Sequence, residues 1–145
     1  MQIEFDESTV SPSLPGIVLL SHGGLAAGML NTVRMIFGDV ENVAAVSLMA
    51  GDDLDAFRQA LTDLFRRLPQ GSIALVDMLG GTPCNQFLLH CRACGLAIAA
   101  ATGFSLPMVL EALSARDEVC GQALIERALA AGGQGAVDLS RFLSR

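Results

Sequence analysis

Short apolar runs alternate along this chain with stretches in which apolar residues recur every three or four positions. The runs are Gly16-Ile17-Val18-Leu19-Leu20-Ser21, Val43 to Met49, Ser72-Ile73-Ala74-Leu75-Val76 and Leu96 to Ala101. Runs this short and this uniformly apolar read as strands buried on both faces of a parallel sheet. After the first run, Ala26, Met29, Leu30, Val33 and Phe37 fall on one helical face, and Gly38 stops the helix. After the second, Leu54, Phe57, Leu61, Leu64, Phe65 and Leu68 form a stripe. Acids stand at the start of that helix and Arg66-Arg67 near its end, a charge order that suits the helix dipole.

Thr82-Pro83 opens a third helix, with a hydroxyl N-cap and proline at the first helical position. It runs to Cys94 and stops at Gly95. Ser105-Leu106-Pro107 begins a helix to Ala115, and Asp117 one to Ala131. Gly132-Gly133-Gln134-Gly135 reads as a turn, and Ala136-Val137-Asp138-Leu139 as a fifth strand. The predicted order, β-α-β-α-β-α-β-α-α-β, is that of a doubly wound α/β fold, with a mostly parallel sheet and helices on both faces. Residues 1–15 have no usable period and read as an extended or disordered leader. Residues 16–145 are expected to form a single domain.

Composition narrows the function. Apolar residues make up 52% of the 145 residues, and mean hydropathy is +0.50, yet no run approaches the roughly 20 residues a membrane span needs. The acidic N-terminus lacks a signal-peptide pattern, which gives an expected cytoplasmic location. A net charge of −6 and the absence of Trp and Tyr argue against nucleic acid as a partner. All nine basic residues are arginine, so neither a lysine Schiff base nor a P-loop lysine is available. Cys84, Cys91, Cys94 and Cys120 read as buried free thiols. His90 is expected to point away from the cysteines on its helix, and no metal or cofactor is expected.

Two strands end in a chemically useful residue with two glycines close behind: His22-Gly23-Gly24, and Asp77-Met78-Leu79-Gly80-Gly81-Thr82. If those strands adjoin, His22 and Asp77 meet beyond the carboxyl ends of the sheet, where open α/β folds place their ligands. A carboxylate that accepts the Nδ1 proton leaves Nε2 as a free lone pair. Gly23, Gly24, Gly80 and Gly81 let backbone N–H groups approach a ligand, two helix N-termini favour anions, and Ser21 and Thr82 add hydroxyls. A nucleophilic imidazole in a phosphate cradle suggests a histidine that carries a phosphoryl group.

At these residues the chain resembles the EIIA domain of the mannose (mannose–fructose–sorbose) family of the phosphoenolpyruvate-dependent sugar phosphotransferase system. The likeness runs from Gly16 to about Phe142 and includes Gly38 to Val43, Ala50-Gly51-Asp52, Val76 to Asn85, Gly103 to Met108 and Ala115-Arg116-Asp117. It implies that His22 takes a phosphoryl group at Nε2 from the histidine phosphocarrier HPr and passes it to an EIIB partner, in some systems with a membrane permease. Asp77 matches the family's histidine-orienting aspartate, and Thr82 its phosphate-contacting hydroxyl. The resemblance further implies a homodimer in which a C-terminal strand, here Ala136 to Leu139, crosses to the neighbouring subunit as an antiparallel fifth strand. Leu25, Met78, Leu79 and Met108 are candidates for an apolar rim on which HPr docks.

Two other readings keep the same chemistry. One is a stand-alone regulatory protein that signals through its phosphorylation state. The other is the phosphocarrier subunit of a dihydroxyacetone kinase. A hydrolase ranks last, because the chain has neither a Gly-x-Ser-x-Gly elbow nor a metal motif.

Overall fold

In the computed structural model, which describes residues 1–143, five strands form one mixed sheet flanked by helices. The elements in chain order are β1 (Gln2–Glu4), β2 (Ile17–His22), α1 (Leu25–Phe37), β3 (Val43–Leu48), α2 (Leu54–Arg67), β4 (Ile73–Val76), α3 (Thr82–Cys94), β5 (Ala100–Thr102), α4 (Leu106–Ala115), α5 (Gly121–Gly135) and α6 (Ser140–Leu143). The order across the sheet is β1-β3-β2-β4-β5, with β1 antiparallel and the other four strands parallel. The chain crosses from β2 to β3 on one side and returns to β4 on the other. This places the topological switch point, the usual ligand crevice, between β2 and β4.

Because successive strand residues face opposite ways, the apolar runs supply two cores at once. Ile17, Leu19, Val43, Ala45, Ile73 and Leu75 pack against α1, α4 and α5 through Leu30, Val33, Val109, Leu124 and Ile125. Val18, Leu20, Ala44, Val46, Ala74 and Val76 pack on the other face against α2 and α3 through Phe57, Leu61 and Phe87. Asp53 caps α2 by accepting from the Asp55 N–H, and Gly95 ends α3 in the left-handed region at φ 63.

The structure differs from the sequence expectation in four places. The antiparallel strand comes from the N-terminus: Gln2, Ile3 and Glu4 pair with Ser47, Val46 and Ala45 of β3. The rest of the first 15 residues is tied down by buried Asn42, whose side chain accepts from the Ser11 N–H and donates to the Ser11 and Leu14 carbonyls. The last two residues of the predicted 16–145 domain lie outside the described residues. β5 is only Ala100–Thr102, an edge strand paired on one side by β4.

Gly132-Gly133-Gln134-Gly135 is the end of α5, not a turn. A Cβ at Gly132 would lie 2.6 Å from Met108 Cγ, and one at Gly135 2.7 Å from Pro107 Cγ. These glycines let α5 press closely on α4. Ala136–Leu139 therefore leaves the end of a longer helix, is exposed, and joins no strand of this chain; Asp138 instead accepts from Ser140 N at the start of α6.

Candidate active site

His22 ends β2, and Asp77 follows the last residue of the neighbouring strand β4. Asp77 N donates to the Leu20 carbonyl (3.0 Å), and Gly23 N to the Leu48 carbonyl (2.8 Å), so main-chain bonds to adjacent strands fix both strand ends. One carboxylate oxygen of Asp77, Oδ2, lies 2.9 Å from the His22 backbone N and 2.8 Å from its ring Nδ1. The other, Oδ1, accepts from Met78 N at 2.8 Å.

An ionised carboxylate can only accept, so in the neutral ring Nδ1 is the nitrogen that carries the proton and Nε2 the one that keeps its lone pair. The His22 side chain is 46% exposed and that of Asp77 8%, so the carboxylate is sheltered while the imidazole is open.

The backbone of Gly81 lies against the free edge of the imidazole. A Cβ there would sit 2.4 Å from His22 Cε1 and 3.0 Å from Nε2. Gly81 is the N-cap of α3, and the first main-chain bond of that helix runs from Asn85 N to the Gly81 carbonyl. The N–H groups of Thr82 and Cys84 therefore precede the intrahelical ladder, and the positive end of the helix dipole faces the ring. Gly80, at φ 81, makes the turn before the cap, and Asn85 Nδ2 donates to its carbonyl (3.2 Å).

Several expected site residues are found near this centre and others are not. Gly23, at φ 54, and Gly24 lead from His22 into α1, while Gly80, Gly81 and Thr82 lead into α3. Thr82 is exposed and is the first helical residue; the cap itself is Gly81, one position earlier than the sequence suggested. Leu25 (52% exposed), Met78 (53%) and Leu79 (74%) stand open beside the site.

Ser21 faces the other way. It is fully buried on the α1 side, its Oγ accepts from Ala26 N in the first turn of α1 at 2.7 Å and donates to the Gly23 carbonyl at 3.3 Å, and so it is closed to a phosphoryl group. Strand alternation is the cause, since Ser21 precedes a histidine that points to the opposite face. Met108 is not part of a rim: it is 3% exposed, beneath Gly132 of α5. The sequence reading missed the bracing role of Asn85. Its only signal is a polar side chain one turn into a helix whose neighbours Cys84 and Phe87 are buried.

The cysteines differ from expectation too. Cys84 is buried and Cys91 half-buried, but Cys94 and Cys120 are exposed. His90 turns toward Cys94, not away from it, because the two are four residues apart on α3.

A sheltered carboxylate, an open imidazole and a helix N-terminus meet at the switch point of a doubly wound sheet, an arrangement chemically suited to a nucleophilic histidine beside an anion. Comparison with known proteins gives that class a family. The model described as "EIIA-man: PTS system fructose IIA component" matches residues 16–129, and the chain belongs to this family. It is 25% identical over 134 residues to the fructose-specific EIIA component of Bacillus subtilis, covering 89% of each chain. It is 28% identical over 109 residues to the mannose-specific EIIAB component of Escherichia coli K12, covering 70% of this chain but only 32% of that longer protein. Among solved structures, phosphotransferase system component EIIA from Streptococcus agalactiae superposes with a TM-score of 0.80 at 27% identity, covering 88% of this chain and 99% of that one. The PTS IIA protein associated with the fucose utilization operon of Streptococcus pneumoniae gives 0.78 at 25%, covering 92% and 99%. The protein is thus an EIIA component of the mannose/fructose class of the sugar phosphotransferase system. Among the described residues no helix is long and apolar enough to cross a membrane.

Proposed function

We propose that His22 is a transient phosphoryl carrier, loaded by phosphorylated HPr and unloaded onto an EIIB protein. The Nε2 lone pair attacks the phosphorus of the donor's phosphohistidine; the new N–P bond forms as the donor's N–P bond breaks. No proton has to leave His22, because its ring proton stays on Nδ1 against Asp77. As phosphorylation withdraws the Nε2 lone pair, the ring gains positive character, which the adjacent carboxylate stabilises. The three phosphoryl oxygens fall to the Gly80-Gly81-Thr82 turn, the Thr82 hydroxyl and the first N–H groups of α3. Gly23 and Gly24 leave the opposite side uncrowded, since no atom lies within 4 Å of a Cβ built at either.

The observation that carries this reading is the single contact between Asp77 Oδ2 and His22 Nδ1 at 2.8 Å, which frees the other nitrogen. Exposed Leu25, Met78 and Leu79 supply an apolar surface on which HPr and EIIB dock in turn. The reading places the protein in the cytoplasm, with an EIIB acceptor that serves a membrane permease. It also includes a homodimer in which Ala136–Leu139 adds to the β5 edge of a second copy. Incubation with phosphoenolpyruvate, the first enzyme of the system and HPr, followed by intact mass, tests the proposal. One phosphoryl group is expected on the wild type and none on His22→Ala; equal labelling of both overturns it.

A further inference from the structure

At the far end of α3 from His22, a second histidine is built into an arrangement of its own. His90 is 6% exposed, in the contact between α3 and α2. Thr62 of α2 donates its hydroxyl proton to the Arg58 carbonyl (3.3 Å), and its oxygen lies 3.0 Å from His90 Nε2. With the hydroxyl proton committed, Nε2 carries the ring proton and donates it to Thr62, which leaves a lone pair on Nδ1. That lone pair faces Cys94 Sγ at 3.8 Å.

Burial, and secondarily the charge of Arg58, lower the His90 pKa, which favours the neutral imidazole with an open lone pair. The other titratable or charged groups around it are Asp55 and Arg58 of α2, joined as an ion pair, and Cys91 and Cys94 of α3. Cys94 is exposed and opens onto a groove of about 560 Å³, lined by Arg58, Gln59, Thr62, Leu89 and His90 among others. A nucleophile, a base and a group that orients the base stand in sequence, which is how protein thiols are activated.

We propose that Cys94 is a reactive thiol open to oxidation by hydroperoxides, with His90 as its base and Thr62 as the positioning residue. The sulfur attacks one peroxide oxygen; the S–O bond forms as the O–O bond breaks, and the two electrons lost by sulfur leave with the departing oxygen. The thiol proton passes to His90 Nδ1 and then to that oxygen. The products are the Cys94 sulfenic acid and water, or an alcohol from an organic hydroperoxide. The remaining cysteines lack this arrangement. Cys84 is buried, burial pushes the Cys91 thiol up, and exposed Cys120 sits at the N-cap of α5.

The test is treatment of the whole chain with hydrogen peroxide in the presence of dimedone, with the labelling rate of each cysteine read by peptide mass spectrometry. His90→Asn should slow Cys94 roughly 10-fold, the modest end of general-base assistance, and leave Cys120 unchanged. Thr62→Val, which keeps the imidazole but frees its orientation, should slow Cys94 by a smaller factor. A measurement on unaltered protein stands independently of how well the variants fold. An unassisted thiol below its pKa of roughly 8.5 loses about tenfold in rate per pH unit, as free glutathione would show alongside. Cys94 should instead hold its rate down to the titration of His90. A Cys94 slope equal to that of glutathione, or equal slowing of Cys94 and Cys120 in His90→Asn, overturns the proposal.

Discussion

Asp77 holds His22 twice with one oxygen: Oδ2 lies 2.9 Å from the backbone N–H and 2.8 Å from ring Nδ1. The first bond fixes where β2 ends relative to β4, and the second fixes which ring nitrogen is free. Asp77→Asn keeps the size of the side chain but brings an amide that can donate to Nδ1. The ring can then hold its proton on Nε2, the atom proposed to attack. The phosphorylation rate by HPr should fall roughly 100-fold or more, as tautomer-disrupting changes do in other histidine sites. Stopped-flow or quench-flow labelling measures it; a rate within a factor of two of wild type contradicts the assignment.

Gly81 tests the cradle. Its backbone, at φ −78 and ψ 166, is one that alanine adopts readily, so Gly81→Ala should fold with a melting temperature close to that of the wild type. The added Cβ would lie 2.4 Å from His22 Cε1, however, and the imidazole must move. Phosphoryl transfer should drop by at least an order of magnitude with the fold intact, a separation that thermal unfolding and labelling report together.

Ser21→Ala should do the reverse. It removes the acceptor for Ala26 N at the start of α1, at a cost of about 1–2 kcal/mol by denaturant unfolding. Phosphorylation of His22 should continue at a similar rate, because the Ser21 hydroxyl faces the opposite side of the sheet. Loss of labelling in a folded Ser21→Ala protein would restore this serine to the phosphate site.

Gly132→Ala separates two opposed effects. Within an exposed helix the change would stabilise by about 1 kcal/mol. Here the methyl group meets Met108 Cγ at 2.6 Å, and overpacking of that kind costs about 1–3 kcal/mol. A net loss of stability of about 1 kcal/mol is expected by urea unfolding; a gain would mean that α4 and α5 separate easily.

The legible part of the chain is the part governed by periodicity. β2, β3 and β4 are apolar on both faces, so their runs stand out, and the residues at their ends are pinned to the C-terminal side of the sheet. That alone brings His22 and Asp77 forward as a pair. β1 was not legible: three residues carry no period, and their strand conformation comes from pairing with β3. Gly132 and Gly135 looked like a turn because sequence cannot distinguish a glycine that bends the chain from one that admits a neighbouring helix. Met108 looked like rim because apolar residues near a strand end serve equally as surface or core, and only the packing of α5 decides. Adjacency to His22 is a poor guide to Ser21, because a one-residue step on a strand changes the face.

The central claim, that His22 presents a free Nε2 because Asp77 holds the proton on Nδ1, is reached most directly by two-bond proton–nitrogen correlation of histidine-labelled protein. The chain has only two histidines, so His22 and His90 are readily told apart. The account predicts an Nδ1–H tautomer for His22 at rest and, after exposure to phosphorylated HPr, a phosphoryl group on Nε2 with the Nδ1 proton retained. An Nε2–H tautomer at rest, phosphorylation at Nδ1, or an unchanged His22 spectrum beside labelled protein would contradict it.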